Sequence, residues 1–187
     1  MEDQTNENPI KPEENLQTKI FKEIISAIKI LVFAALLAYG LNHFVLVNAM
    51  VPTGSMEPTI MTGDRVIAFR HSYLFSDPNR LDIVVFDSPT RPDMLYIKRI
   101  IGLPGEEIFM ENGNVYINGE LLDDASFTKE PFRGTHGPFF VGESQFFVLG
   151  DNRNNSEDSR FWANPFIPQE DIVGRAIFKY FRGVGLL

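Results

Sequence analysis

The sequence contains no cysteine, which excludes disulfide frameworks, Cys-ligated metal sites and thiol catalysis. Histidine is also scarce, since only His43, His71 and His136 occur, and none stands in a spacing typical of a zinc site. We therefore expect neither a metal nor any other cofactor. A Ser–His–Asp triad is not excluded by this count, but no histidine lies in a recognisable motif.

Positive charge is limited as well. The 17 Lys and Arg residues face 25 Asp and Glu residues, giving a formal net charge of -8, and no run rich in Lys or Arg is present. Nucleic-acid binding requires clustered cations to neutralise phosphates, so we expect no nucleic-acid partner. The 187 residues, 44% of them hydrophobic, suit one sizeable globular domain with short appendages.

One long apolar segment is present, at residues 20–47. Its centre, 30–41, is uninterrupted by polar residues, and the apolar residues on both sides extend it to the ~20 residues that cross a bilayer. The preceding residues 1–19 are polar and acidic, which predicts a disordered tail. We therefore predict a transmembrane anchor helix at 20–47.

The basic residues around this segment predict its orientation. Lys19, Lys22 and Lys29 lie on its N-terminal side, and the next Lys or Arg is Arg65. The positive-inside rule then places the N-terminus in the cytoplasm and residues 48–187 outside the cell (plasma or inner) membrane. A buried core helix and a cleavable signal peptide are the alternatives. We favour an uncleaved single-pass anchor because candidate site residues follow it immediately.

Beyond residue 48 the pattern is typical of short β-strands. Asn112-Gly113 separates two strand-like runs, and Asn118-Gly119 marks another turn. We predict a mainly β fold, with one antiparallel domain over 48–187 and a small β insertion within about 106–143. The strand-like runs, rich in β-branched and aromatic residues, are 65–69, 82–86, 96–101, 107–110, 114–117, 145–149 and 175–181.

A first candidate for chemistry is the loop at 51–60, just after the anchor. Pro52 and Pro58 stiffen it, and Gly54 permits a tight backbone beside Ser55. An exposed hydroxyl next to a free backbone N–H suits a nucleophile with an oxyanion hole. An ordinary linker between membrane and domain would have the same composition.

A second candidate is the segment 96–106. On a strand, Lys98 shares a face with Tyr96 and Ile100, and an amine surrounded by apolar side chains loses hydration. Its pKa then falls from ~10.4, which allows it to act as a general base toward serine. The alternative is a surface lysine on an edge strand, and the spacing alone does not decide between them.

A third candidate is the polar segment 149–160, which is dense in Asp, Asn and Arg. Its oxygen-bearing side chains do not follow EF-hand spacing, and two arginines argue against a calcium loop. The alternative is a hydrogen-bonded scaffold that orients a neighbouring catalytic group.

Together these segments resemble the type I signal peptidase family, and the resemblance runs from the anchor to the C-terminus. It implies a membrane-bound serine endopeptidase that removes signal peptides from exported preproteins through an acyl-enzyme. The motifs that carry it are PTGSMEPT (52–59), GDRVIAF (63–69), DIVVF (82–86), YIKRIIGLPGE (96–106) and GDNRNNSEDSR (150–160).

The resemblance also implies a role for individual positions. Ser55 is the nucleophile and Lys98 the general base, while the Thr53 hydroxyl helps the Ser55 N–H form the oxyanion hole, and the Ser156 hydroxyl orients the lysine amine. The implied supporting positions are Arg99, in an ion pair, and Asp151, Asp158 and Arg160, in the polar loop. The implied pockets for small substrate side chains, one and three residues before the cut, draw on Ala49, Val51, Met56, Ile60, Tyr96 and Ile97.

We expect preprotein signal peptides and membrane lipid as partners, and a monomeric protein. Two positions depart from the family pattern: Leu81 stands where Gly is usual, and Glu157 where a small residue is frequent, with Glu157 expected to point to solvent.

Two other functions remain open: a catalytically silent membrane-tethered binding module, and a self-cleaving regulator that uses Ser and Lys on a β fold. The membrane segment and the absence of a basic recognition helix argue against the regulator.

Overall fold

The computed structural model describes residues 15–187, beginning with a long helix. Helix α1, Leu16–Gly40, starts after Asn15, whose side chain accepts a hydrogen bond from the Gln17 N–H, and a π-helical turn, Leu41–Val45, follows it. None of the α1 residues is buried. Among the described residues, this 30-residue span, Leu16–Val45, is the one helix long and apolar enough to cross a membrane.

The ends of this helix differ from the predicted boundaries. Of the predicted tail, residues 1–14 lie outside the described residues, and 16–19 are helical. At the other end Leu46 and Val47 belong to a strand rather than to the predicted anchor. They do so because their backbone pairs with residues 68–69 and because Val47 is buried in the β unit. The chain divides into two compact units between residues 41 and 42.

The second unit is built from short strands separated by turns, which confirms the predicted mainly antiparallel β fold. Each predicted run lies wholly or mostly within a strand. The strands are β1 Leu46–Met50, β2 Arg65–Phe69, β3 Ile83–Asp87, β4 Leu95–Gly102, β5 Glu107–Glu111, β6 Asn114–Ile117, β7 Glu120–Leu121, β8 Thr135–Phe140, β9 Gln145–Leu149, β10 Ile167–Pro168, β11 Ile172–Tyr180 and β12 Gly185–Leu186.

In the described part of the chain these strands form two sheets. The larger has the order β1-β2-β11-β3-β4-β9-β10, with β12 paired to β11, and the smaller has the order β7-β6-β5-β8. All pairs are antiparallel. The smaller sheet occupies residues 107–140, inside the interval where the sequence predicts a β insertion. Strand β4, which carries Lys98, lies in the interior of the larger sheet between β3 and β9.

The hairpins of the smaller sheet follow from their turn residues. Asn112 and Gly113, between β5 and β6, have φ of 53° and 84°, and Asn118 and Gly119, between β6 and β7, have φ of 51° and 84°. Two successive residues with positive φ are what a type I′ turn requires, and Asn and Gly tolerate that conformation best. Both predicted turns are therefore confirmed.

Apolar side chains on the strands form three buried clusters. One joins β2, β3 and β11 and also contains Met56 and Ile60 from the loop after β1. A second joins β4 and β9 to the smaller sheet, as Ile101 and Leu149 pack in one cluster with Ile108. The third lies around Phe86 and Ile100. At about 1.5–3 kcal/mol per buried large aliphatic side chain, this packing holds the two sheets and the loop at 51–60 in fixed positions.

Leu81, one of the two departures from the family pattern, has a backbone conformation that suits glycine. Its φ is 72°, in the left-handed region, which costs a residue with a side chain roughly 1–2 kcal/mol. The Leu81 N–H donates to the Ile100 carbonyl at 2.8 Å, and its own carbonyl accepts from Arg99 at 3.0 Å. These bonds, with partial burial of the side chain against the second cluster, offset the backbone cost.

Candidate active site

The two residues predicted to react lie side by side. Lys98 Nζ is 2.9 Å from Ser55 Oγ, although 43 positions separate them in the chain. Ser55 belongs to the loop between β1 and β2, and Lys98 lies in β4 opposite Val84 of β3. Lys98 is only 5% exposed, so the alternative of a surface lysine on an edge strand is wrong.

The surroundings of Lys98 favour a neutral amine. Burial lowers its pKa from 10.5 to about 8, and the nearby carboxylates of Asp158, Glu157 and Asp151 raise it only partly back. Nζ also donates to the Ile97 carbonyl at 3.1 Å and lies 5.3 Å from the centre of the Tyr96 ring. In the neutral form, an amine that keeps one N–H on this carbonyl can turn its lone pair toward the Ser55 hydroxyl and accept the hydroxyl proton.

The loop that carries Ser55 is held by Asn152, which the sequence interpretation did not single out. The Asn152 N–H donates to the Ser55 carbonyl at 3.0 Å, and its side-chain amide donates to the Gly54 carbonyl at 2.9 Å. The two loops approach closely at Gly150, where a Cβ would lie 2.5 Å from the Ser55 carbonyl oxygen. Asn152 lies in the polar segment 149–160, and the several amide side chains of that segment were the feature of the sequence that could have indicated its role.

The predicted oxyanion-hole groups lie at the same place. Within residues 15–187 the Ser55 backbone N–H donates no hydrogen bond. Thr53 is exposed and lines the cleft that also contains Ser55 and Lys98. A free N–H beside an exposed hydroxyl provides two donors that a developing oxyanion could use.

Ser156 differs from its predicted role in one respect. It lines the same cleft, but its Oγ is buried and makes no hydrogen bond within the described residues, so the expected bond to the Lys98 amine is not formed. The carbonyl of Ile97 accepts from that amine instead. A Cβ on Gly150 would contact Ser156 Oγ, which places this hydroxyl beside the Ser55 loop.

Arg99 makes a buried ion pair directly behind the base. Its Nε and Nη2 donate to the two carboxylate oxygens of Asp151 at 2.8 and 2.6 Å, a bidentate geometry. The Thr59 hydroxyl donates to Asp151 Oδ2 at 2.5 Å, so the pair also holds the Ser55 loop. Thr59 was not singled out from the sequence, although it closes the PTGSMEPT motif.

A second buried pair, Asp158 with Arg160, organises the polar loop. Both carboxylate oxygens of Asp158 accept from the Arg160 guanidinium at 2.8 Å, and the Gly150 N–H donates to Asp158 Oδ2 at 3.1 Å. The guanidinium also donates to the Arg153 carbonyl at 2.6 Å. Asp158 is fully buried, so its charge depends on these partners.

An open cleft of about 790 Å³ runs past the Ser55 and Lys98 side chains. Ile60 does not line it, because this side chain is fully buried in the first core cluster; its assignment to a substrate pocket is wrong. Leu95, Met94 and Phe161, which were not predicted, also line the cleft. The predicted pocket residues that do line it are Ala49, Val51, Met56, Tyr96 and Ile97.

Glu157 lines the rim of this cleft. Its side chain is exposed, as expected, but it also accepts a hydrogen bond from the Thr90 hydroxyl at 3.3 Å and lies 3.7 Å from the Arg91 guanidinium.

Within residues 15–187 no group of three or more His, Cys, Asp or Glu side chains could hold a metal ion.

Comparison with known proteins gives one family. The family model described as "Signal peptidase, peptidase S26" matches residues 24–181. The chain is 40% identical to "Probable signal peptidase I-2" of Synechocystis sp., over 98% of this chain and 83% of that protein. It is 39% identical to "Signal peptidase I" of Leptolyngbya laminosa, covering 88% and 83%, and 33% identical to "Signal peptidase I S" of Bacillus subtilis, covering 90% and 94%.

Proposed function

Because the chain belongs to the peptidase S26 family of signal peptidases, we propose that Ser55 is the nucleophile of its reaction and Lys98 the general base. Family membership makes the protein a serine endopeptidase that removes signal peptides from preproteins. The observation that carries the assignment of the two residues is the 2.9 Å distance between Ser55 Oγ and the buried amine of Lys98.

In the proposed reaction the neutral amine of Lys98 takes the proton of the Ser55 hydroxyl. Ser55 Oγ attacks the carbonyl carbon of the scissile bond, and the resulting ammonium returns the proton to the leaving amine as the C–N bond breaks. Lys98 then takes a proton from a water molecule whose oxygen attacks the ester carbonyl carbon, and the ammonium returns that proton to Ser55 Oγ as the C–O bond to Ser55 breaks. A buried lysine suits both steps because a pKa of about 8, lowered from 10.5, leaves a usable fraction of its amine neutral near physiological pH.

The remaining donors are assigned by their place around the dyad. The Ser55 N–H and the Thr53 hydroxyl stabilise the oxyanion that forms on the scissile carbonyl. The Ser156 hydroxyl, which is buried and has no hydrogen-bond partner among the described residues, accepts a hydrogen bond from the Lys98 ammonium when it forms. A buried hydroxyl left unpaired in the resting state costs about 1–3 kcal/mol, which a bond formed during the reaction recovers.

The apolar cleft residues provide the substrate preference. Ala49, Val51, Met56, Tyr96 and Ile97 form walls that accept small side chains before the cut. Because one methylene in an apolar pocket changes binding by only about 1–3 kcal/mol, the preference for Ala over larger residues is graded rather than absolute.

We further propose that the protein is a monomer anchored in the cell membrane by α1, with the N-terminus in the cytoplasm and the peptidase unit on the outer face. Lys19, Lys22 and Lys29 lie within the first 14 residues of the apolar span Leu16–Val45, and no Lys or Arg lies between residue 30 and residue 64. Anchoring confines enzyme and preprotein to one surface and raises their effective concentration.

The test of this function is direct cleavage. The purified full chain in detergent is expected to convert a preprotein to its mature form, with the new N-terminus following small residues at the first and third positions before the cut. N-terminal sequencing of the product measures this. A preprotein left intact, together with cleavage of the chain itself, would favour the self-cleaving regulator.

The pH dependence of cleavage is expected to follow Lys98. Because only the neutral amine accepts a proton, kcat/KM should rise about tenfold per pH unit on the acid side and level off above a midpoint near 8. Removing the Glu157 charge with Glu157→Gln takes away a carboxylate that stabilises the ammonium, so the midpoint should move to lower pH. A rate independent of pH between 6 and 9 would contradict Lys98 as the base.

A further inference from the structure

The connection between two strands of the smaller sheet contacts three parts of the active site scaffold. Residues 124–133, between β7 and β8, form what we call the bracing segment. It touches the Ser55 loop, the strand that carries Lys98 and the polar loop at 149–160. No role follows for it from the proposed chemistry, since none of its residues lines the cleft.

Lys129 makes the central contacts of the bracing segment. Its Nζ donates to Glu57 Oε2 at 3.0 Å, and its backbone N–H donates to the Asp151 carbonyl at 3.1 Å. Glu57 is two residues after Ser55, and its N–H donates to the Gly54 carbonyl at 3.2 Å. The Lys129 ammonium holds the pKa of Glu57 below its ordinary value, so Glu57 carries its negative charge at neutral pH.

The second set of contacts reaches the base. The Arg99 guanidinium stacks on the Phe127 ring, 4.2 Å from its centre, and Arg99 directly follows Lys98 in β4. Its ion-pair partner is Asp151, the residue whose carbonyl Lys129 binds. Lys129 therefore has two contacts. Its side chain binds the loop that carries Ser55, and its backbone binds Asp151, which pairs with Arg99 next to Lys98.

Two further contacts attach the bracing segment to the polar loop. Asp124 lies 2.7 Å from the buried guanidinium of Arg153. At the other end, Asn154 donates to the Pro131 carbonyl at 2.9 Å and accepts from the Arg133 N–H at 3.2 Å. The bracing segment is thus attached to the polar loop at both ends, and these attachments fix the position from which Lys129 reaches Glu57.

From these contacts we infer that Lys129 and Glu57 are positioning residues of the peptidase: their ion pair holds the Ser55 loop at the distance from Lys98 that proton transfer requires. The inference rests on the proposed function of Ser55 and Lys98. Proton transfer depends on a separation of about 2.6–3.2 Å, and displacement of the loop by a fraction of an ångström moves the pair out of this range.

The test compares Lys129→Met, Glu57→Gln and the double variant in the full chain with a preprotein substrate. Each single variant is expected to lower kcat about two- to fivefold with KM unchanged, the size appropriate to a partly exposed ion pair. The double variant should lose no more than either single variant, because both remove the same interaction. The exchanged pair, Glu57→Lys with Lys129→Glu, should recover part of kcat.

Glu130→Gln is the matched control, since Glu130 is exposed on the same segment and makes no hydrogen bond in the described structure. It should leave kcat unchanged. Normal kcat in both single variants, or a loss in the double variant equal to the product of the single losses, would overturn the inference. Such results would leave the proposed dyad intact, because that depends separately on an active parent protein and an inactive Ser55→Ala.

Discussion

Replacing Ser55 with Ala, or Lys98 with Met, is expected to abolish preprotein cleavage by the full chain in detergent or liposomes. Each substitution should lower kcat by about four orders of magnitude or more, because removal of one member of a nucleophile–base pair disables the other. Measurement of the mature product against time, with the protein at high concentration, gives the residual rate.

The physical reason lies in the single hydrogen-bonding contact between the two side chains. Ser55 has one proton to lose, and within the described residues the Lys98 amine is its side-chain partner, at 2.9 Å. Methionine keeps the length and the apolar stem of lysine, so Lys98→Met removes a buried amine without creating a cavity. Lys98→Arg should be inactive as well, because guanidinium does not give up its proton in proteins.

Two controls make this result specific. Ser126→Ala changes an exposed serine that makes no hydrogen bond in the described structure, and it should leave the rate unchanged. The double variant Ser55→Ala with Lys98→Met should be no slower than either single variant, since the two residues act as a unit. Appreciable activity in Ser55→Ala or in Lys98→Met would rule out the dyad.

Replacing Asp158 with Ala is expected to destabilise the peptidase unit by about 3–5 kcal/mol, the largest stability change that we anticipate. Asp158 is fully buried, and the Arg160 guanidinium facing it has a side chain only 2% exposed. Alanine would leave that cation buried without its carboxylate and would remove the acceptor of the Gly150 N–H. Urea unfolding of the full chain in detergent measures the change in free energy.

The matched control is Glu157→Ala at the preceding position. Glu157 and Arg91 form an ion pair at 3.7 Å with side chains 49% and 60% exposed, and such pairs contribute less than about 1 kcal/mol. Equal destabilisation by Asp158→Ala and Glu157→Ala would contradict the argument, because it would mean that burial of the Asp158 pair has no energetic consequence.

Several features of the site and of the fold could be predicted because they depend on neighbours in the chain. Alternation along a strand predicts that Lys98 shares a face with Tyr96, and its amine does lie over the Tyr96 ring. Asn-Gly pairs predict tight turns because these residues adopt positive φ, as Asn112 and Gly113 do. The same logic explains Leu81, where a glycine-like position is occupied by leucine at φ of 72°.

What could not be predicted depends on distant parts of the chain. Ile60 is as apolar as the other pocket residues, and only its packing against β2, β3 and β11 places it in the core rather than in the cleft. Within the described residues the Lys98 amine donates to the Ile97 carbonyl and the Ser156 hydroxyl has no partner, so the orienting role of Ser156 stays a prediction. Asn152 and Thr59 hold the Ser55 loop through partners about a hundred positions away.

The order of apolar, strand-like and polar segments by itself determined that this protein has an apolar N-terminal helix, an antiparallel β unit and the motifs of the signal peptidase family. These properties follow from local preferences and from residue identity, which the linear sequence contains completely. Only the tertiary structure decided that Ser55 and Lys98 meet, and which groups surround them. The distance between them depends on the pairing of β4 within the larger sheet and on side chains that pack from three separate segments. These contacts join residues far apart in the chain, so no single segment of the sequence predicts them.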